Sequence, residues 1–367
     1  METLAIIINY KSAGLTLQAA QSVLNSSSIG PVHVIVIDNS EDEEEVQKLR
    51  LGLPPVVTLR VNAQNIGFGR ACNQAFEQFS GEFILLINPD AKLLSGCLVC
   101  LQKLLSAREN VGAVAPRVFW DDGLSYLLPP SYPPALFLFE SILGKFGPQS
   151  IINRLFSVIW RDYSIKFWCS DRPVKMRNLS GSVVLLKRES ILMAQGLFDP
   201  RFFLYFEDTD LFMRLKKAGY TLFMEPNAKA THHYNQCDKV NEKDKRSIFK
   251  ISHRIFLEKY IKGLKFRGKK LMGHRKAPIN TKGENLHESV FTSPFMLEIP
   301  TQLQDGWLFE FSPNPNFIPS VGRFGKGSTM DFPIDCWAML TPGRYYGRLG
   351  SVKGILRPQK IVSWIVQ

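Results

Sequence analysis

Four short aliphatic runs, Leu4 to Ile8, Val32 to Ile37, Val56 to Val61 and Phe83 to Ile87, are separated by stretches of helical periodicity. This alternation constrains the fold more than any other feature of the chain. The first intervening stretch, Leu15 to Leu24, carries Leu17, Ala20, Val23 and Leu24 at helical spacing. The second opens on the acids Glu41 to Glu45 and breaks at Pro54-Pro55, and the third opens at Asn65-Ile66-Gly67-Phe68-Gly69-Arg70. Strand alternating with helix predicts an open α/β sheet with mostly parallel strands, flanked by helices. Ligands of such sheets bind beyond the carboxyl ends of the strands. Asn9, Asp38 and Asp90, the polar residues that follow three of the runs, all fall on that edge.

Two nucleotide motifs are missing. No G-x-G-x-x-G follows the first run, and no G-x-x-x-x-G-K-[ST] occurs anywhere. That excludes the usual dinucleotide dehydrogenase and P-loop designs. The stretch Asn9-Tyr10-Lys11-Ser12 is too poor in glycine to cradle a phosphate with its backbone. A diphosphate ligand would need a metal held by carboxylates, and hard oxygen ligands suit Mg²⁺ or Mn²⁺.

A second feature is the segment Phe198 to Lys217, in which aromatic residues lead into Glu207, Asp208 and Asp210 at the start of a helical pattern that closes on Lys216, Lys217 and Gly219. Acids in the first turn and bases in the last are ordinary helix grammar. Three acids beside Tyr205 and Phe206 exceed it, because apolar rings would place at least one carboxylate where an unpaired charge is costly. Asp210 stands four residues before Arg214, the spacing of an intrahelical ion pair.

No apolar run approaches the roughly 18 residues of a membrane-spanning helix, and Met1 leads directly into a strand pattern, so the sequence reads as soluble and unsecreted. Six cysteines, at 72, 97, 100, 169, 237 and 336, form no disulfide framework. The C-x-x-C of Cys97 and Cys100 lies in an apolar helical pattern and reads as core thiols. The net charge of +12 is concentrated between Lys239 and Lys276, where fourteen Lys or Arg face three acids. That local charge points to an anionic partner, such as a membrane surface, rather than to general nucleic-acid binding.

The ordered set NYK at 9–11, DNS at 38–40, NIGFGRACN at 65–73, NPDA at 88–91, LSGSVVLLKRES at 179–190, the run from Phe198 and PNAKATHH at 226–233 resembles the family 2 glycosyltransferases, in particular their rhamnosyltransferase-like branch. The resemblance covers residues 1 to about 240, apart from Trp120 to Arg177. It implies a GT-A fold, a nucleotide-sugar donor, a divalent metal and inversion at the anomeric carbon. By the same resemblance Asp90 and His232 are the metal positions, with Asn88 standing where the family has an acid. Asn9, Asp38, Asn65 and Arg70 meet the nucleotide, and Ser180 and Gly181 line the donor sugar. Asp208 is the base, while Glu207 and Asp210 orient it, bind sugar hydroxyls or cap the helix.

The rest of the chain is less specific. Ser247 to Lys265 is a basic amphipathic helical pattern, suited to an anionic membrane or to packing on the catalytic domain. An apolar region, Leu136 to Leu143 and Phe156 to Trp160, suits either core or an interfacial acceptor site. Eight prolines and aromatic-rich runs after Ser289 (Trp307 to Phe311, Asp335 to Leu340, Arg344 to Tyr346) read as an all-β appendage. Its Trp307, Trp337, Tyr345 and Tyr346 would serve as core or as sugar-stacking rings. The domains expected are 1–240 catalytic, 241–285 basic helical linker and 286–367 β-rich. The function expected is transfer of a sugar from a dTDP-rhamnose or UDP-hexose type donor to a lipid-linked or polysaccharide acceptor, at the cytoplasmic face of a membrane. The alternatives are a glycan-binding protein with a degenerate catalytic domain and a sugar nucleotidyltransferase.

Overall fold

A computed structural model of the chain describes residues 1–134, 151–233, 242–261, 290–352 and 360–366. They form two compact units. The first holds 1–118, 131–134 and the chain from Ser170 through the helix ending at Tyr260; the second holds 119–130, the helix ending at Trp168 and the carboxy-terminal strands.

In chain order the elements begin β1 (Thr3–Asn9), α1 (Ala13–Leu24), β2 (Val32–Asp38), α2 (Glu43–Gly52), β3 (Thr58–Val61), α3 (Phe68–Gln78), β4 (Phe83–Ile87), β5 (Ala91–Leu93), α4 (Cys97–Ser106) and β6 (Val111–Phe119). They continue with α5 (Ile151–Trp168), β7 (Val174–Met176), β8 (Val183–Lys187), α6 (Arg188–Met193), α7 (Glu207–Lys217), β9 (Thr221–His232) and α8 (Glu242–Tyr260). β3 starts later than the sequence predicts, because Pro54 to Val57 closes a turn with Val57 N–H on the Pro54 carbonyl at 2.9 Å. α2 begins where the acids announce it: Asp42 caps the amides of Glu44 and Glu45.

Nine strands among those described form the sheet of the first unit, in the order β3-β2-β1-β4-β8-β6-β9-β5, with β7 on β9. β3, β2, β1 and β4 are parallel, and β8 then joins β4 antiparallel with Ile87 opposite Val183. Every residue of β1 and β4 is buried, the continuous apolar run expected of a central strand covered on both faces. Ala5, Ile7, Val34, Val36 and Leu85 face Ala19, Ala20, Leu98, Leu101 and Leu105 of α1 and α4, while α3 packs on β1 and β2. Alternation sends successive side chains to opposite faces, so one strand serves both layers. Each fully buried Leu, Ile or Val contributes about 1.5–3 kcal/mol. Cys97 lies inside this core and Cys100 at its margin, both as free thiols, and burial pushes the Cys97 thiol far up.

The second unit continues β10 (Val290–Phe291), β11 (Met296–Glu298), β12 (Trp307–Ser312), β13 (Val321–Gly325), β14 (Thr329–Asp331), α9 (Ile334–Ala338), β15 (Gly343–Ser351) and β16 (Lys360–Val366). Its larger sheet runs β10-β16-β15-β12-β13, and β11 pairs with β14. Asp335 to Leu340, expected as a strand run, instead supplies α9: Pro333 precedes the helix and Asp335 sits in its first turn. Trp307, Tyr345 and Trp364 are buried in the core with Trp120 and Tyr126, and Trp337 packs against it. The boundaries do not follow chain order as the sequence reading had them. α8 gathers with the first unit, and 119–130 and α5 gather with the late strands. Leu136 to Leu143 and Lys262 to Lys276 lie outside the described residues.

Candidate active site

The parallel strands end on one edge, and most of the polar residues singled out in the sequence meet there. Asn9 ends β1 beside Asp38, which ends β2. Both are fully buried. Asn9 Nδ2 donates to Asp38 Oδ1 at 2.6 Å and to Ser40 Oγ at 3.0 Å, and its Oδ1 accepts from Ser12 and Thr16. Ser40 Oγ donates to the same Asp38 oxygen at 2.6 Å. The pair is therefore a closed polar network that fixes the ends of β1 and β2 to the start of α1. Asn65 and Arg70 do not join it. Asn65 Oδ1 accepts from Gly67 N–H at 2.9 Å, and Arg70 Nε donates to the Pro200 carbonyl at 2.9 Å with its guanidinium exposed.

Beyond β4, Asn88-Pro89-Asp90 turns into β5, whose Ala91 is paired with His232 at the end of β9. His232 Nε2 stands 3.1 Å from Asp90 Oδ1, and both side chains are buried. Two chain segments more than a hundred residues apart thus deliver one carboxylate and one imidazole to a common point. Among the described residues no group of three or more His, Cys, Asp or Glu is gathered to hold a metal alone. A carboxylate and an imidazole this close are a donor set that would suit a divalent cation as two of its ligands.

The antiparallel pairing of β4 with β8 brings the 180–182 segment to the same edge. Asn88 N–H donates to the Ser182 carbonyl at 2.8 Å, and Gly181 N–H donates to Asp208 Oδ2 at 3.1 Å. A Cβ on Gly181 would lie 3.1 Å from that of Asp208, so the approach suits glycine. Asp208 Oδ1 accepts from Thr209 N–H at 2.6 Å and from its hydroxyl. Ser180 Oγ, expected to face a sugar, donates to Ser182 Oγ at 3.0 Å.

The three acids of α7 are sorted into three environments. Glu207 is buried, and its Oε2 has no hydrogen-bond partner. Burial, then the neighbouring Asp208 charge, pushes its carboxyl up to about 8. Burial also raises Asp208, but the amides of Gly181 and Thr209 oppose the rise by stabilising the carboxylate. Asp210 is 0% exposed, with Arg214 Nε at 2.8 Å, Lys259 Nζ at 2.6 Å and the Tyr260 hydroxyl at 2.7 Å. Its carboxylate is enclosed by these groups, so the expected role against a sugar hydroxyl gives way to one of holding α7.

Sequence reasoning missed the turn that aims α7. Tyr205 and Phe206 both lie in the left-handed region, at φ +70° and +69°, a conformation rare for aromatic residues. Gly67, at φ +86°, meets the loop before that turn: Phe68 N–H donates to the Phe203 carbonyl at 2.9 Å. The glycine was a readable signal, whereas nothing in the sequence marks the two aromatic residues.

On its carboxyl edge this open α/β sheet carries a carboxylate–imidazole pair and a second, hydrogen-bonded carboxylate. Residues 4–165 match the profile described as Glycosyl transferase family 2. The chain is 29% identical over 244 residues to the N-acetylglucosaminyl-diphospho-decaprenol L-rhamnosyltransferase of two Mycobacterium tuberculosis strains, covering 63% of this chain and 76% of that protein. Among solved structures it is similar to GalNAc-T7 with UDP, GalNAc and Mn²⁺, at 14% identity and TM-score 0.44 over 63% of this chain, and it spans 44% of that chain. It is also similar to the Pyrobaculum calidifontis mannosyltransferase PcManGT in complex with GDP-Man and Mn²⁺, at 16% identity and TM-score 0.42, over 70% of this chain and 64% of that one.

Proposed function

We propose that the chain is an inverting, metal-assisted glycosyltransferase that moves L-rhamnose from dTDP-rhamnose to a hydroxyl of a lipid-linked glycan, with UDP-hexoses as the other donor class. The observation that carries this reading is the division between Glu207 and Asp208: adjacent buried carboxyls, one without a partner on Oε2 and pushed up to about 8, the other raised by burial but accepting amide hydrogen bonds that oppose the rise. Paired acids whose surroundings push their proton affinities apart are a recurring acid–base arrangement. Asp208 takes the proton of the acceptor hydroxyl as that oxygen attacks the anomeric carbon from the face opposite the diphosphate. Glu207, neutral behind it, adds no second negative charge to the site.

Asp90 and His232 would hold the divalent cation, which would offset the charge of the departing diphosphate. Asn88, in place of an acid, leaves the pair with one negative charge fewer. The Asn9–Asp38 edge and the loop of Asn65 and Arg70 receive the nucleoside, and Ser180 and Gly181 border the donor sugar. Among the described residues no helix is long and apolar enough to cross a membrane. Peripheral association with the inner membrane face through the basic segment around α8 would bring the domain to a lipid-linked acceptor.

Calorimetry of dTDP and UDP binding with and without Mn²⁺, together with release of dTDP from dTDP-rhamnose, tests the reading. Binding that needs the metal and weakens in Asp90→Ala, with metal-dependent release that an acceptor accelerates, is the expected result. Equal affinity in excess EDTA removes the metal from the proposal. Affinity for glycans with no turnover of any sugar nucleotide returns the chain to the class of binding proteins.

A further inference from the structure

The catalytic turn does not hold itself. Between Asp199 and Asp210 the chain forms a loop whose middle carries Tyr205 and Phe206 in the left-handed region; Phe68 and Arg70 hold its Phe203 and Pro200 carbonyls, and the anchors of its ends and of the left-handed pair come from one face of α8. Lys259 Nζ lies 2.7 Å from Asp199 Oδ2 and 2.6 Å from Asp210 Oδ1, so one ammonium closes the mouth of the loop. Ser252 Oγ donates to the Leu204 carbonyl at 2.7 Å, fastening its middle. The Phe206 ring stacks on His253, with centroids 5.2 Å apart and planes at 16°, and also meets Phe249 and Phe256. Tyr260 completes the grip with its hydroxyl on Asp210 Oδ1 at 2.7 Å.

A pair of aromatic residues with positive φ persists only where its surroundings over-determine it. Phe206 is the residue before α7, so its conformation sets the direction in which Glu207 and Asp208 leave the turn. Asp208 then reaches the Gly181 amide at 3.1 Å. Removing the anchors would let the turn relax to ordinary dihedrals and rotate the first residues of α7 away from that amide.

We infer that α8 is the clamp of the catalytic turn, with Lys259 and Tyr260 as positioning residues that act on Asp208 through the Asp199–Asp210 loop. This rests on the reading of Asp208 as the base. Lys259 is suited to the task because its two carboxylates each keep another cation, Arg201 on Asp199 and Arg214 on Asp210. Its loss therefore opens the loop without leaving a buried charge alone.

The test uses the full chain with Lys259→Met, Tyr260→Phe and Lys259→Arg. Amide hydrogen exchange across 199–211 should rise at least tenfold in Lys259→Met, while exchange in β1, β2 and β4 stays as in the wild type. Turnover of dTDP-rhamnose should fall about tenfold or more in Lys259→Met and several-fold in Tyr260→Phe, with dTDP affinity unchanged and the loss largely restored in Lys259→Arg. Unchanged exchange at 199–211 overturns the clamp, and so does exchange raised evenly through the first unit. Faster exchange with wild-type turnover overturns the positioning role. If the wild type turns over no sugar nucleotide, the proposed function fails, and the exchange measurement still decides whether α8 holds the turn.

Discussion

At the scale of single residues, the site turns on which of three nearby acids is free to take a proton. Asp208 and Asp210 stand about 200° apart around the helix axis, and the structure uses that separation: Asp208 faces Gly181, while Asp210 is buried against Arg214, Lys259 and Tyr260. Asp208→Asn is expected to lower turnover by about 10²–10⁴-fold while leaving the fold and dTDP affinity near wild type. Asp210→Asn is expected to cost stability instead, by about 3 kcal/mol, because it strips a buried cluster of its anion. Steady-state kinetics and melting curves on both variants check the pair, and a wild-type rate in Asp208→Asn would move the base elsewhere. Glu207 makes a separate prediction in pH. Its carboxyl is raised to about 8 in the fold, against about 4.3 in an unfolded chain, so the folded state keeps a proton that the unfolded state releases between those values. Wild-type stability should therefore decline as pH rises through that window and level off above it. Glu207→Gln removes the decline. Its melting temperature should match the wild type near pH 4 and exceed it by several degrees at pH 8, and a difference independent of pH would refute the assignment. The acids themselves were legible from their spacing and from the aromatic residues before them. Their separate fates were legible only for Asp210, through Arg214 four residues on, because Lys259 and Tyr260 approach from fifty residues away.

At the scale of elements, helix starts and strand ends follow local chemistry closely. Asp42 and the acids after it open α2, and the bases of the last turn close α7. Departures occur where another element imposes a conformation. Gly67 is such a place: at φ +86°, its Cβ position lies 2.6 Å from the Phe203 carbonyl. Gly67→Ala is expected to destabilise by about 1–3 kcal/mol through strain and clash and to lower turnover, since the displaced Phe203 belongs to the loop that aims α7. Gly14 in α1 offers the contrast, because nothing lies within 4 Å of its Cβ position. Gly14→Ala should stabilise by about 0.5–1 kcal/mol. Urea denaturation of the two variants distinguishes a glycine required by geometry from one that is merely tolerated. The left-handed pair Tyr205–Phe206 had no such signal in the sequence. Its dihedrals oppose the local preference of both residues and follow from contacts with α8, so no window of neighbouring residues encodes them.

At the scale of the whole molecule, the second unit is assembled from segments far apart in the chain, and one carboxylate fastens them. Glu310 on β12 is fully buried, 2.6 Å from Arg161 Nε on α5 and 2.8 Å from Arg348 Nη2 on β15. Burial opposes ionisation of Glu310, but Arg348 and then Arg161 outweigh it and hold the carboxyl below its ordinary range. Glu310→Gln should cost the second unit about 3–5 kcal/mol at pH 7 by leaving two buried guanidinium groups without their anion. The cost should shrink as pH falls through the lowered value and the wild type loses the same charge. Denaturant unfolding at pH 7 and pH 3 reads both effects, and an equal cost at the two values would deny the ion cluster its role. The sequence by itself determined the alternation of strand and helix, the polar residues at the ends of β1, β2 and β4, the acid-rich start of α7 and the placing of Cys97 in the core. Each depends on propensity, periodicity or capping within a few residues, where the chain is its own context. Only the tertiary structure decided that β8 would carry Gly181 to Asp208, how closely His232 and Asp90 would meet, that α8 would pack on the turn before α7, and that α5 would join the late strands. Those outcomes depend on pairings between distant segments, whose free energy comes from complementary surfaces and buried charge rather than from any local pattern.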